Sequence, residues 1–376
     1  MPHLGVFLAA AVAAFAATPV VRRLAVRFGA IDRPSDRKVH PNPTPTLGGV
    51  ALWFAILVGL GVARLIPWFR ELFVGSFEPL GALLAGTAVM ILGAYDDVRG
   101  LSVPAKLAGQ VLAAGVLMLF GVELLFFWFP GLGVLSLSAD LSVPLTLLWV
   151  LAMINAVNLI DGLDGLAAGV VAIAAAAFFI YMVVPDSPIW GDGPSPASLL
   201  TAVVAGACVG FLPYNLHPAR IFMGDSGSML LGVVLAAATI SGVGRTEAPT
   251  GTEFAALAIP VFIPVLVLAV PLTDVALAIL RRIRRGRPVT RPDKEHIHHR
   301  LLEIGHSHRQ AVLLMYLWSA LLGGAALAVT FVRSTALAAG LLAGVAVVLL
   351  GTSVPRILRR PNGRVRAGTV PSPKRR

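Results

Sequence analysis

Apolar runs about as long as a membrane-spanning helix repeat along nearly the whole chain. Roughly 20 consecutive apolar residues suffice for a helix to cross the hydrocarbon core of a bilayer. Eleven segments come close to this length, near residues 4–21, 46–66, 79–95, 104–120, 143–160, 165–184, 196–215, 226–243, 254–281, 310–331 and 335–353. The pattern predicts an all-α polytopic integral membrane protein with about eleven transmembrane helices.

Residues 123–140, between the fourth and fifth of these runs, are interrupted by Pro and Gly and do not fit a further helix. Two short β-rich pieces flank Pro130-Gly131, which is typical of a turn between antiparallel strands. Trp128 fits the aromatic belt at a membrane–water interface. The segment therefore predicts a small β-hairpin on the outer side of the membrane.

Composition supports the membrane class and excludes an ordinary soluble domain. Of the 376 residues, 57% are hydrophobic and 13% are charged, and the mean hydropathy is +0.84. We expect the lipid bilayer as a partner and no nucleic acid. The lone cysteine, Cys208, lies within a span and offers neither a disulfide nor a thiolate metal set.

The positive charges predict the orientation of the spans. With the N-terminus outside, the cytoplasmic loops and the C-terminal tail hold 26 of the 30 Lys and Arg residues, which follows the positive-inside rule. Arg22 and Arg23 follow the first run, the reverse of a cleaved signal peptide, so we expect this run to be a retained span. Residues 1–353 are predicted to form the transmembrane domain, and residues 354–376 a disordered, basic cytoplasmic tail that lies on anionic lipid.

Three carboxylate clusters fall at the predicted cytoplasmic ends of spans, where ionised groups avoid the cost of burial in lipid. The first, Asp96-Asp97, ends the third span. Carboxylate oxygens are hard ligands that Mg²⁺ prefers, particularly when substrate phosphates complete its coordination. The alternative interpretation is a solvated helix end that pairs with Arg99 and Lys106.

The second cluster is a ridge of amides and acids at the end of the fifth span. Its members recur every three residues and are Asn155, Asn158, Asp161 and Asp164. Amides can donate to and accept from a nucleobase or sugar, and the acids can bind a cation or ribose hydroxyls. Helix packing alone would explain the nearby glycines but not this ridge, so we predict a ligand-binding role.

The third cluster places Asp225 where the eighth span begins. The free N–H groups and positive dipole of a helix N-terminus suit a phosphate or carboxylate. Ordinary N-capping by Asp225 or Ser226 is the alternative. Capping gives no role to Phe222 in the preceding loop, which we expect to stack on a flat ligand.

Residues 281–309 hold five of the chain's eight histidines among many arginines. A zinc site is not predicted there, because the segment lacks a His-Glu-x-x-His motif and a cysteine partner. Histidines among arginines instead suit anionic phosphates.

Five motifs follow one another along the chain: Arg37-Lys-Val-His-Pro-Asn-Pro-Thr-Pro-Thr-Leu-Gly-Gly49, Asp96-Asp97, Asn158-Leu-Ile-Asp-Gly-Leu-Asp-Gly165, Phe222-Met-Gly-Asp225 and His296-Ile-His-His-Arg-Leu301. From about residue 32 to 331, the chain closely resembles the polyprenyl-phosphate N-acetylhexosamine-1-phosphate transferase family. The resemblance implies transfer of N-acetylglucosamine-1-phosphate from UDP-N-acetylglucosamine to undecaprenyl or decaprenyl phosphate. UMP is released, and the lipid-linked product starts a cell-envelope polymer.

The resemblance also implies roles for individual residues. Catalytic roles are implied for Asp96, Asp97, Asp161 and His298. Substrate-binding roles are implied for Asn158, Asp164, Phe222, His296, His299 and Arg300. Substrate binding is also predicted for Lys38, His40, Asn155 and Arg220. Mg²⁺, with Mn²⁺ as an alternative ion, is expected at Asp225 and Asp97. The protein would lie in a bacterial plasma membrane with its active site on the cytoplasmic face. Whether it forms a homodimer stays open.

Two alternatives stay open at this point. Phospho-N-acetylmuramoyl-pentapeptide transferases, which are relatives within the family, usually carry a Lys where this chain has Pro41, which argues against the muramoyl substrate. A cation-coupled transporter would keep its acids near the middle of the membrane, whereas these acids lie at helix ends. Because a phosphate monoester has a second pKa near roughly 6, the acceptor is already mostly dianionic at neutral pH. Asp96 is therefore expected to orient substrate or ligate metal, while it remains the best candidate for a general base.

Overall fold

The computed structural model describes residues 2–33, 43–129, 133–184, 193–243, 306–331 and 343–348, with isolated positions at 267, 269, 284, 301, 337 and 340. Within these ranges the chain forms a bundle of apolar α-helices. The helices are α1 (Pro2–Arg27), α2 (Gly48–Leu65), α3 (Arg70–Gly75), α4 (Glu78–Arg99), α5 (Val103–Leu119), α6 (Ala139–Ile160), α7 (Leu166–Val183), α8 (Pro196–Asn215), α9 (Gly224–Val243) and α10 (His308–Phe331).

Eight helices in the described ranges are long and apolar enough to cross a membrane, namely α1, α2, α4, α6, α7, α8, α9 and α10. The apolar α5 is shorter, at 17 residues. Helices suit lipid because their backbone N–H and C=O groups pair with one another. Nine of the predicted spans coincide with helices, which confirms a multi-pass helical membrane protein. The predicted span at 254–281 lies almost wholly outside the described residues, and that at 335–353 lies partly outside them, so the number eleven and the orientation stay predictions.

Among the described residues, two short antiparallel strand pairs accompany the helices. Strand β1 (Ile31–Asp32) pairs with β2 (Thr44–Pro45). Strand β3 (Phe126–Phe129) pairs with β4 (Gly133–Ser136). The second pair confirms the hairpin that the sequence predicted within residues 123–140.

Small residues allow α8 to pack directly on the backbone of α1. Gly206 and Gly210 lie against the carbonyl groups of Phe7 and Ala11, and a Cβ at either glycine would overlap those oxygens. Residues four apart share one face of a helix. The pair therefore forms the small-xxx-small arrangement that lets membrane helices approach closely and gain dispersion contacts.

The functional side chains collect at one end of the bundle, which we call the site end. There the C-terminal ends of α4, α6 and α8 meet the N-terminal ends of α2, α5, α9 and α10 through hydrogen bonds and ion pairs. Helix α9 is central, since it packs against α2, α4, α6, α7 and α8. At the opposite end, the ring of His3 lies 3.1 Å from the hydroxyl of Ser198.

Candidate active site

The start of α9 lies in backbone contact with α4. Gly93 of α4 faces the backbone of Asp225 and Ser226 so closely that a Cβ at residue 93 would overlap it. Asp97 follows Gly93 by four residues and therefore lies on the same face of α4. A glycine at residue 93 thus brings the Asp97 carboxylate to the first turn of α9.

Backbone hydrogen bonds from the first turn of α2 hold the loop before α9. The N–H groups of Gly48 and Gly49 donate to the carbonyl oxygens of Phe222 and Met223, at 3.0 and 3.1 Å. The N–H of Phe222 donates in turn to the carbonyl of Pro45 at 2.8 Å. Two motifs that are far apart in the sequence, residues 44–49 and 222–225, are therefore one structural unit.

Asp97 caps α9 from a different helix. Its Oδ1 accepts a hydrogen bond from the N–H of Asp225 at 2.8 Å, and its Oδ2 accepts one from the N–H of Ser226 at 3.2 Å. A carboxylate at a helix N-terminus is stabilised by free N–H groups and by the helix dipole. The two N–H groups that the sequence predicted to face a phosphate thus donate to Asp97 instead.

Lys106, from the first turn of α5, bridges two acids. Its Nζ lies 3.0 Å from Asp96 Oδ2 and also contacts Asp225 Oδ2. The chain can return there because Gly100 ends α4 with a φ of 72°. In the sequence Lys106 was only an alternative partner for Asp96-Asp97, whereas the structure makes it the cation that the first and third carboxylate clusters share.

Asn158 holds the other side of Asp225. Its Nδ2 donates to Asp225 Oδ1 at 2.6 Å and lies 2.9 Å from the hydroxyl of Ser228. Asn155 has a different environment, because its Nδ2 donates to Gln110 Oε1 at 2.8 Å, within a helix contact where Gln110 is only 1% exposed. Asn155 therefore links α6 to α5, and its predicted contact with substrate stays a prediction.

Asp161 lies just after α6, beside the other acids. Its pKa is raised well above the usual value, first because burial removes water from the carboxyl, and then because the negative charges of Asp225, Asp97 and Asp164 are close. A carboxyl of this kind holds a proton more readily than an exposed one. Asp161 can therefore donate a hydrogen bond at pH values where Asp normally cannot.

Asp164, three residues further on, interacts with two histidines from distant segments. Its Oδ2 is 2.8 Å from His217 Nδ1 and accepts a hydrogen bond from the N–H of Ala219 at 3.0 Å. Its backbone N–H donates to His308 Nε2 at 3.0 Å. The two imidazole rings are stacked, with centroids 4.2 Å apart and planes 16° apart.

This group brings three potential ligand atoms within 4.8 Å of one another, which raises the question of a metal centre. A metal ion lies in the plane of each imidazole that binds it, along the nitrogen lone pair. Two nearly parallel, stacked rings cannot both place one ion in their planes. His308 Nε2 also already accepts a hydrogen bond. We conclude that His217 and His308 do not share a metal in this arrangement.

The donor set around Asp225 does fit a hard divalent cation. Asp96, Asp97 and Asp225 offer carboxylate oxygens, which are the ligands that Mg²⁺ prefers. The position of the Lys106 ammonium demonstrates that Asp96 and Asp225 converge on one positive charge. The residues present are therefore compatible with Mg²⁺.

The structure brings Asp96, Asp97, Asn158, Asp161 and Asp225 together, with Asp164 beside them. Phe222 is half-buried in the adjoining loop, and Arg220 is exposed. The remaining predicted site residues lie outside the described part of the chain; they are Lys38, His40, His296, His298, His299 and Arg300.

Sequence reasoning gave no role to Gln110 or His217. It named Lys106 only as an alternative partner of Asp96-Asp97, and it grouped His308 with the histidines that suit anionic phosphates. Lys106 had a signal, because a lysine in the first turn of a helix that follows an acidic helix end can reach that end. His217 and His308 had none, because they are separated by 90 intervening residues and no periodicity connects them.

Comparison with known proteins agrees with the motifs. The model of the family described as glycosyl transferase family 4 matches residues 79–243. The chain is 43% identical over 363 residues to a decaprenyl-phosphate N-acetylglucosaminephosphotransferase of Mycolicibacterium smegmatis, which covers 95% of this chain and 89% of the relative. It is 36% identical to a probable undecaprenyl-phosphate N-acetylglucosaminyl 1-phosphate transferase of Bacillus subtilis, over 80% of this chain and 77% of the relative.

A third relative, the undecaprenyl-phosphate alpha-N-acetylglucosaminyl 1-phosphate transferase of Escherichia coli, is 28% identical over 80% of this chain and 77% of its own length. The similarity to the first relative extends far beyond the segment that the family model matches. The acidic site end lies largely within that segment, and on this evidence the chain belongs to the polyprenyl-phosphate N-acetylhexosamine-1-phosphate transferase family, glycosyl transferase family 4.

Proposed function

We propose that this protein transfers N-acetylglucosamine-1-phosphate from UDP-N-acetylglucosamine to a membrane polyprenyl phosphate. The products are UMP and N-acetylglucosamine-diphosphate-polyprenol, the first lipid-linked intermediate of a cell-envelope polymer. The names of the relatives support N-acetylglucosamine over the muramoyl-pentapeptide alternative. The position of the acids at helix ends supports an enzyme over a cation-coupled transporter.

One observation carries the proposal: Asp96, Lys106, Asn158 and Asp225, from four different helices, converge at the end of an apolar bundle. Such a place is open to a water-soluble nucleotide sugar and adjoins the headgroup region, where the phosphate of a polyprenyl chain lies. A site that joins these two substrates has to be at a membrane surface.

The reaction requires one bond to form and one to break at the same phosphorus. An oxygen of the polyprenyl phosphate attacks the β-phosphorus that bears the sugar. The bond from that phosphorus to the bridging oxygen breaks, and its electron pair leaves with UMP. Because both substrates are anionic, the main task of the protein is to position them and to neutralise charge.

The geometry supports a division of work among the residues. Lys106 lies between Asp96 and Asp225. When a divalent cation takes these carboxylates, the ammonium is released from them and can pair with phosphate oxygens. Asn158 and Asp97 hold Asp225 from two sides, through its Oδ1 and its backbone N–H. Asp161, with its raised pKa, can donate a hydrogen bond to a phosphate or sugar oxygen. Asp164 and Phe222 are assigned to the uridine on the basis of the family resemblance.

We propose that Mg²⁺ is held by Asp225 together with the Asp96-Asp97 pair, with Mn²⁺ as an alternative ion. Asp225 and Asp96 present oxygens toward a common point, while both oxygens of Asp97 accept backbone hydrogen bonds. When bound, the ion supplies charge neutralisation for the diphosphate. The role of Asp97 as a direct ligand stays a prediction, and its hydrogen bonds give it a second function in orienting Asp225.

The site end is proposed to face the cytoplasm of a bacterial cell, where nucleotide sugars are made. The distribution of Lys and Arg along the sequence supports this orientation. The protein would then lie in the plasma membrane, with its acceptor in the inner leaflet.

The test is a turnover assay with purified protein in detergent. UMP release should require UDP-N-acetylglucosamine, a polyprenyl phosphate and Mg²⁺ together, and chelation of the metal should stop it. UDP-N-acetylmuramoyl-pentapeptide serves as the competing donor. UMP release with that donor alone would overturn the assignment.

A further inference from the structure

We propose that His217 and His308 act as a pair of positioning residues, which hold Asp164 in the orientation that binds the nucleotide donor. The inference rests on the proposed function and assigns a role to two residues outside the acidic cluster. Neither histidine is expected to touch the reacting phosphates, because the ring nitrogen of each that faces the site is hydrogen-bonded to Asp164.

The hydrogen bonds fix Asp164 at both its side chain and its backbone. His217 Nδ1 and the N–H of Ala219 both lie at the single oxygen Oδ2, while the backbone N–H points to His308 Nε2. Within the described part of the chain, no hydrogen bond is directed to Oδ1. The arrangement therefore fixes Oδ2 and the backbone of Asp164, and the proposal assigns the remaining oxygen, Oδ1, to the ligand.

The same bonds define the protonation of the two rings. His308 Nε2 accepts from a backbone N–H, so it carries no proton, and His308 is a neutral imidazole with its proton on Nδ1. His217 Nδ1 lies at a carboxylate oxygen and carries the proton of that bond. One ring must therefore be an acceptor and the other a donor, and the stacking at 4.2 Å keeps them in register.

Further contacts anchor this pair to α10. Arg309 Nε donates to the carbonyl of His217 at 3.2 Å. The hydroxyl of Tyr316, two turns further along α10, donates to the carbonyl of Gly165. Gly165 N–H in turn donates to Asn215 Oδ1 at 3.2 Å. The turn after α6, the loop after α8 and the start of α10 therefore form one connected unit around Asp164.

The decisive experiment distinguishes the effect of the hydrogen bond to Asp164 from the effect of ring stacking. His217→Phe keeps the stacking but removes the donor, and His217→Asn keeps a donor but removes the stacked ring. His308→Phe likewise removes the acceptor. His3→Phe is the matched control, because His3 also has a side-chain hydrogen-bond partner, Ser198, and aromatic contacts, but lies at the opposite end of the bundle. Two quantities are measured: KM and kcat for each substrate, and the Kd of UDP by calorimetry without turnover.

For His217→Phe and His308→Phe we expect KM for UDP-N-acetylglucosamine and the Kd of UDP to rise about tenfold, which corresponds to the loss of one hydrogen bond that orients a charged group. KM for the polyprenyl phosphate should stay within about twofold of wild type. His217→Asn should recover most of the affinity for UDP, and His3→Phe should leave it unchanged.

A purely structural role predicts a different pattern. The melting temperature and the active fraction would fall, kcat would fall with them, and the Kd of UDP measured on the folded protein would not move. That result would overturn the positioning role. The proposed function has its own test, because it fails if the wild-type protein releases no UMP. The role of the histidine pair is tested by the Kd of UDP, which can be measured without turnover.

Discussion

The carboxylate of Asp97 accepts a hydrogen bond from the backbone N–H of Asp225 at 2.8 Å, although the two residues are 128 positions apart. This bond joins the end of α4 to the beginning of α9. It fixes the relative positions of two acids that the sequence had assigned to one metal site.

Removal of the Asp97 carboxylate should destabilise the protein as well as inactivate it. Asp97→Ala leaves the N–H groups of Asp225 and Ser226 without their acceptors, which costs about 1–2 kcal/mol for a lost cap. Asp97→Asn should lose less, because its amide oxygen accepts one of the two bonds. Thermal unfolding in detergent measures the difference, and equal melting temperatures for wild type and both variants would contradict the capping role.

Asp225→Asn should abolish turnover in a folded protein. The substitution keeps the size and one carbonyl acceptor of the side chain but removes the charge that faces Lys106 and the proposed cation. We expect UMP release to fall by at least about 100-fold, as for other groups that stabilise a charged transition state. The melting temperature verifies folding. If the Asp225→Asn variant kept near-normal activity at limiting Mg²⁺, Asp225 would only begin the helix, and the proposed metal site would be wrong.

Lys106 and a divalent cation should compete for the same carboxylates. In Lys106→Met, Asp96 and Asp225 lose the ammonium that they share, so added Mg²⁺ should raise the melting temperature more than in wild type, because a ligand that binds the native state more tightly stabilises it more. Lys106→Arg keeps the positive charge and is the control. Identical Mg²⁺-dependent shifts in all three proteins would rule out the competition.

Gly93→Ala should disturb the site without a change of any polar group. An added methyl would overlap the backbone of Asp225 and Ser226, and overpacking of this kind costs about 1–3 kcal/mol. Turnover should fall with it, because Asp97 and Asp225 move apart. Gly115→Ala on α5 is the matched control, since a Cβ there has open space. Equal unfolding temperatures and equal activity for the two variants would contradict the close approach of α4 and α9.

Orientation can be tested with fusion reporters. If the segregation of positive charge sets the topology, a reporter fused after Arg376 should be cytoplasmic and one fused at the N-terminus external. A periplasmic C-terminus would contradict the eleven-span prediction and favour an even number of spans.

The helices were predictable because most apolar runs are followed directly by Gly, Pro or charged residues, as at Arg22 and Asp96. The meeting of Asp96-Asp97 with Asp225 could also be anticipated, since all three lie at ends that the charge pattern assigns to one side. Which side chains touch was not predictable. Helices such as α7 and α9 are apolar on all faces, so no hydrophobic stripe reveals their rotation. The partners of Asn155 and the stacking of His217 on His308 depend on that rotation.

Helix α9 is surrounded by protein, with 89% of its apolar span buried, whereas only 33% of the span of α1 is buried. A change in bilayer thickness is absorbed by tilt of the helices that touch lipid or by deformation of the lipid around them. Such strain would reach α1 first and the helix that starts at Gly224 last. Asp225, at the start of this helix, should therefore keep its position in membranes of different lipid composition, although the acceptor is dissolved in that same bilayer.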